Sequence, residues 1–385
     1  MSQSMLKEPI SRRTFLKLAA GSAAGALLFR FPFQASAADE VSHSLSIAPI
    51  SVSALPDAET SAKSSALVKK SYDDILRIVN TISDSGLKSS VLSMIRDPRP
   101  TFMANFTSSA SITRVYNQLV DMKLADPAKI SADTLLPALP SHNQPFLTAP
   151  GSGYMSHHPY PGGLCTHVCS NLHITQGICQ TYKDVFGYDV DYDTAIAGEA
   201  LHDIEKPFVF QWQKDGSSLK EYTLAGQGAH HVISIAESMY RGIPAEVVVA
   251  QACAHGAPTG AKDEADVVGW IKAASLLAGK DPIRYGVLRK DGEGLPAPHK
   301  QEGYIVHLGD HDWVLTSPAS QKSIAILKDI AKSLYGIDAA SDAKKFNDFR
   351  NYIGSQVSFM YINHLSSFPD GRKQIESLVQ QIILK

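Results

Sequence analysis

Four separated histidine clusters carry the chemistry legible in this chain. They are His167 at the end of Gly162-Gly163-Leu164-Cys165-Thr166-His167, the dyad His202-Asp203, the pair His230-His231, and His255 before Gly256. Neutral imidazole and carboxylate together suit Fe, Mn, Zn or Ni better than Ca. Each cluster sits on, or at the end of, a stretch with helical spacing. Histidine and aspartate arriving from several helices is how a helical bundle builds a metal site in its core. A metal held there activates water and polarises a phosphoryl oxygen. One or two divalent ions, and a metalloenzyme, are the expectation.

The elements that must position these residues read as mainly α. Residues 151–280 form the expected metal-binding core. One helix there opens at Gly162-Gly163 and carries His167, and a second spans Asp191 to Lys206. A third starts at Gly228, and a fourth starts at Pro244, where a proline is tolerated, and ends near His255-Gly256. A fifth runs from Glu264 to about Leu277. Residues 38–150 read as an N-terminal linker and helical region. Residues 38–62 look flexible, helices are expected over 64–95 and 109–123, and a Pro-rich loop over 127–161 leads into the site. Residues 281–385 read as a β-hairpin over Gly303–Thr316 followed by helices over 320–335, 343–359 and 371–384. In that reading His307, Asp310, His311 and Asp312 are ordinary polar turn residues.

Residues 1–37 stand apart from the fold. Ser11-Arg12-Arg13-Thr14-Phe15-Leu16-Lys17 precedes an apolar run from Leu18 to Phe29, and Ala35-Ser36-Ala37 offers a cleavage site. That is signal-peptide anatomy, and the paired arginines resemble a twin-arginine export signal. The run is too short for an ordinary membrane span, so a periplasmic or otherwise exported protein is expected, with the export machinery as a partner. The chain has 36 basic and 38 acidic residues. The leader holds five basic residues and one acidic, so its removal leaves 31 against 37, a formal charge of −6. No long basic stripe remains, and nucleic acid is not an expected partner. Cys165 and Cys169 flank His167 at i,i+4 spacing. Zinc binding by them is conceivable, but buried apolar packing is the expectation.

The ordered pattern H…HD…H…H, with Lys206 three residues after Asp203, resembles the HD-domain superfamily of metal-dependent phosphohydrolases. Residues 162–167 resemble its GGLxxH opening, and His202-Asp203-Ile204-Glu205-Lys206 is similar to HDxGK with Glu205 in the glycine's place. Glu221-Tyr222-Thr223 through His230-His231 resembles the YTxxGxxxGH segment of an exonuclease-type branch, and Ala254-His255-Gly256 resembles HHG without its first histidine. The resemblance covers about a third of the chain. It implies an HD-domain helical bundle in which His167, His202, Asp203 and a late aspartate hold one metal. It further implies that His231 and His255 hold a second, bridged by Asp203, with His230 as the neighbour of the ligand, and that Lys206 contacts a substrate phosphate. The late aspartate is the departure: in Ala273-Ala274-Ser275-Leu276-Leu277 the expected place holds Ser275, a poor ligand.

Three functions are compatible with these residues. The first is a phosphohydrolase acting on a small phosphoester such as a nucleotide, with Asp203 and Lys206 as catalytic groups. The second is a di-iron oxygenase of the same fold. The third is a non-catalytic module, which the Ser275 departure favours. His157-His158 are expected in a surface loop, Glu199 and Glu205 as exposed helix carboxylates, and Trp212 and Trp270 in the core.

Overall fold

The structure, a computed structural model, describes residues 47–153 and 155–385. The export signal expected over residues 1–37 lies outside the described residues. Helices dominate the described chain. The N-terminal part comprises α1 (Ala58–Ser64), α2 (Ala66–Val79), α3 (Ser85–Arg96) and α4 (Ser109–Asp121). The centre comprises α5 (Gly163–Phe186), α6 (Tyr192–Leu201), α7 (Ala229–Tyr240), α8 (Ala245–Ala252) and α9 (Ala261–Ala278). The C-terminal part adds α10 (Lys300–Asp310), α11 (Trp313–Tyr335), α12 (Ala343–Leu365) and α13 (Gly371–Ile382). Among the described residues, strands are confined to two short pairs. β1 (Ile50–Ser51) lies parallel to β4 (Ile383–Leu384), and β2 (Thr223–Leu224) is antiparallel to β3 (Gln227–Gly228).

Side-chain caps mark several helix starts. The side chains of Asp57, Asp84 and Asp191 accept the backbone N–H three residues on, at 2.7–3.0 Å, which satisfies one of the orphan donors of a first turn. The start of α5 needs its glycines for a different reason. Gly162 has φ +78°, and a Cβ on Gly163 would lie 1.9 Å from the His158 carbonyl oxygen. The loop therefore packs backbone against backbone just where His167 enters the core.

Helices α5, α6, α8 and α10 pack on one another, α2 lies on α5, and α7 pairs with α9. Their apolar faces form the main core, built around residues such as Val168, Leu172, Ile196, Leu201, Val248 and Ile271. A second cluster joins α11, α12 and α13 through Leu327, Phe349, Ile353 and Ile375. Residues 47–62, expected to be flexible, are instead tied down. Ile47, Ile50, Val52 and Leu55 pack against this second cluster, and β1 pairs with β4.

The expected hairpin over 303–316 is the main correction. That segment is the body of α10 and the start of α11. Its burial follows helical spacing, with Glu302, Gly303, Ile305, Val306, Gly309 and Asp310 all facing inward. A short β-branched run is ambiguous between strand and helix, and burial of one face against α5, α6 and α8 decided it. The 64–95 helix is also broken, into α2 and α3, and the helix expected to reach Lys206 ends at Leu201.

Candidate metal centre

Each functional side chain is delivered by a helix end or a first turn. His167 lies near the start of α5. His202 caps the C-terminus of α6, and Asp203 follows in the turn before the short helix Lys206–Val209. His230 is in the first turn of α7, His255 sits in the turn after α8, and Asp310 is the last residue of α10. His167, His202, Asp203 and Lys206 are fully buried.

These residues converge. Asp203 Oδ2 lies 3.0 Å from both His167 Nε2 and His202 Nε2, and its Oδ1 lies 3.3 Å from His230 Nε2. Asp310 Oδ1 lies 3.2 Å from His167 Nε2 and 3.4 Å from His202 Nε2, while its Oδ2 lies 3.3 Å from His255 Nε2. Asp310 thus stands where a late carboxylate was sought. Ser275 does not approach the cluster: its hydroxyl donates to the Ile271 carbonyl at 2.7 Å and packs against Met239.

A second set of contacts fixes the ring orientations. His202 Nδ1 donates to the Glu199 carbonyl at 2.7 Å, so its Nε2 faces the centre. His230 Nδ1 donates to the Glu221 carboxylate, which also accepts the His230 backbone N–H at 2.9 Å. Such carboxylate–histidine pairs set tautomer and basicity in metal sites. Asn171 donates to Asp310 Oδ1 at 3.0 Å. His231 points elsewhere. Its Nε2 donates to the Ala252 carbonyl at 3.0 Å, and its ring stacks on His255 with centroids 4.3 Å apart. The structure therefore brings His167, His202, Asp203 and His255 together with His230 and Asp310, and leaves His231 behind them as a support.

The electrostatics are those of a buried, charged cluster. Burial opposes ionisation of Asp203, yet His202 and Lys206 outweigh it and hold the carboxyl well below the usual range. The same contest, with His202 decisive, holds Asp310 low. Lys206 Nζ lies 2.5 Å from Asp203 Oδ2, donates to the Gly151 carbonyl and lies 3.3 Å from His157 Nε2. Glu199 and Glu205, expected on the surface, are fully buried. Burial pushes Glu199 up to about 8, and burial with the neighbouring Glu237 carboxylate pushes Glu205 well above its usual value. His158, expected in a surface loop, is also buried, its Nδ1 3.0 Å from the Tyr160 hydroxyl. Trp270 is buried with the main core, as expected.

The donor set fits a divalent metal. Among the described residues, Asp203 Oδ1 and His230 Nε2 are buried without a hydrogen-bond partner, while Oδ2 is met by the Lys206 ammonium. Buried lone pairs aimed at one another are costly unless something positive lies among them. Three overlapping triads, His167/His202/Asp203, His202/His255/Asp310 and Asp203/His230/His255, each gather their ligand atoms within 4.8 Å.

Two comparisons with known proteins bear on this site. Residues 9–29 match the twin-arginine translocation pathway signal sequence. Over 197 residues the chain is 31% identical to the dihydroneopterin 2',3'-cyclic phosphate phosphodiesterase of Methanocaldococcus jannaschii, covering 50% of this chain and 76% of that protein. The chain belongs to that phosphodiesterase family. No solved structure matches it significantly. The signal directs the chain to export across a membrane. Among the described residues no helix is long and apolar enough to cross one.

Proposed function

We propose that this protein is an exported, metal-dependent phosphodiesterase of the HD type, working in the periplasm or otherwise outside the membrane on a small phosphodiester. The observation that carries the reading is the meeting of Asp203 and Asp310 around buried imidazoles, with Lys206 beside them. The family relative's action on a cyclic phosphate supports a phosphodiester as the substrate class. Asp310 supplies the carboxylate that Ser275 lacks, which argues against a degenerate, non-catalytic module.

His167, His202, Asp203, His230, His255 and Asp310 would hold one or two ions, with Fe, Mn, Zn and Ni the ions best suited to this ligand set. A divalent ion bound there supplies a Lewis acid for a phosphoryl oxygen and lowers the pKa of water. The chain's own groups do the rest. Asp203, held ionised beside Lys206, orients the attacking water as a hydrogen-bond acceptor. One P–O bond forms, one ester P–O bond breaks, and the proton lost by the attacking water ends on the leaving oxygen, giving a phosphomonoester and a free hydroxyl. Lys206, buried and aimed at the centre, offsets charge building on the phosphoryl oxygens.

The test is hydrolysis of bis(p-nitrophenyl) phosphate and guanosine 2',3'-cyclic phosphate by chelator-treated protein, before and after adding Fe, Mn, Zn or Ni. Metal-restored release of a phosphomonoester is expected. Failure to bind any of these ions, or binding without hydrolysis of either ester, overturns the proposal. Oxygen consumption that needs two irons would then point to the oxygenase reading.

A further inference from the structure

The cavity that opens onto the metal-binding cluster holds about 540 Å³, and its lining includes His230, His255, Asp310 and Trp313. That volume suits a small-molecule ligand. Most of the lining residues carry polar side chains, Ser152, Thr223, Gln227 and Ser317 among them. Tyr222, the other large ring there, packs against the main core, and its hydroxyl donates to the Leu135 carbonyl. Trp313 is different. It is 44% exposed and belongs to none of the apolar clusters among the described residues, although tryptophan is on average highly buried.

The indole is also braced. The His311 ring stacks on it with centroids 5.7 Å apart and planes 19° apart. His311 Nδ1 lies 3.3 Å from His307 Nε2, and His307 Nδ1 donates to the Ala254 carbonyl at 2.8 Å. The indole is thus tied, ring by ring, to the backbone beside His255. A flat apolar face next to the phosphate-handling centre, with polar side chains around it, matches a ligand that is itself flat, apolar on its faces and polar at its edges.

We infer that Trp313 is a stacking platform for a planar heteroaromatic group carried by the phosphodiester substrate. This rests on the phosphodiesterase reading above and names the substrate class for that site. Stacking on an aromatic side chain is tolerant of ring identity, so a purine and a pterin would both be held. Trp313 positions the substrate and takes no part in the bond changes.

The experiment compares guanosine 2',3'-cyclic phosphate with methyl riboside 2',3'-cyclic phosphate, which lacks the ring. In Trp313→Ala the ratio of kcat/KM values, ring substrate over ringless, is expected to fall about 10- to 100-fold, chiefly through KM. Trp313→Phe should restore most of the ratio. An unchanged ratio in Trp313→Ala overturns the inference. Binding of guanosine 2',3'-cyclic phosphate to chelator-treated protein, followed by calorimetry, separates the two readings. If the wild type hydrolyses neither ester, weaker binding by Trp313→Ala still supports the platform, and equal binding still sinks it.

Discussion

Asp310 Oδ1 lies 3.2 Å from His167 Nε2, joining the last residue of α10 to the start of α5. The contact closes the cluster from the C-terminal side and supplies its second buried carboxylate. It also brings in Asp310, read from the sequence as an ordinary turn residue, and leaves out Ser275, which stands where the late aspartate was expected.

Asp310→Asn removes the negative charge and keeps the shape. We expect the variant to lose at least one equivalent of bound metal and most activity while retaining helical circular dichroism. Ser275→Ala deletes only a hydroxyl bonded to the Ile271 carbonyl. Its metal content should match the wild type, with stability lowered by about 1 kcal/mol or less. Elemental analysis of the two variants decides the matter. Metal loss in Ser275→Ala with none in Asp310→Asn would reverse the assignment.

The adjacent histidines should also part. His230 Nε2 faces Asp203, whereas His231 Nε2 is spent on the Ala252 carbonyl. His230→Ala is expected to lose metal outright. His231→Ala removes the ring behind His255, and metal affinity should weaken about 10- to 100-fold, as when other outer-shell partners are removed. Competition with a chromophoric chelator measures both. Equal affinities in the two variants would contradict this geometry.

Lys206→Met should separate folding from chemistry. Its ammonium is the nearest cation to the buried Asp203 carboxylate, so the loss leaves a buried charge short of a partner. That costs about 3–5 kcal/mol in stability, and metal should recover part of it. Activity is expected to drop about 100- to 1,000-fold if the lysine stabilises phosphoryl charge. A variant with wild-type kcat at saturating metal would remove Lys206 from the mechanism.

Gly163→Ala tests the loop that aims His167. A methyl there meets the His158 carbonyl, and relieving that overlap should cost about 1–3 kcal/mol. Thermal unfolding reads the loss, and a melting temperature equal to the wild type would show that the loop yields freely.

The fold was legible where apolar spacing ran long, as in α2, and where glycines marked a start, as in α5 and α7. It failed where the run was short. Tyr304-Ile305-Val306-His307-Leu308 fits a strand by residue type, yet the same stretch places Glu302, Ile305, Val306, Gly309 and Asp310 on one helical face. Reading that 3–4 residue spacing would have put Asp310 on the buried side of a helix, and with it the carboxylate sought near Ser275. Glu221 carried a signal too, since a lone carboxylate ahead of a histidine pair is a natural orienting partner.

By itself the sequence determined the export signal, the helical class, and the histidines and aspartate that separate segments bring together. Those depend on local matters, namely residue chemistry, periodicity and short motifs. Only the tertiary structure decided which of His230 and His231 faces the centre. Adjacent helix positions differ by about 100°, and either could be chosen until α7 docks against α8 and α9. The same holds for Asp310. Its place beside His167 arises from the packing of α10 on α5, α6 and α8, and a contact between segments so far apart in the chain leaves no spacing for the sequence to display.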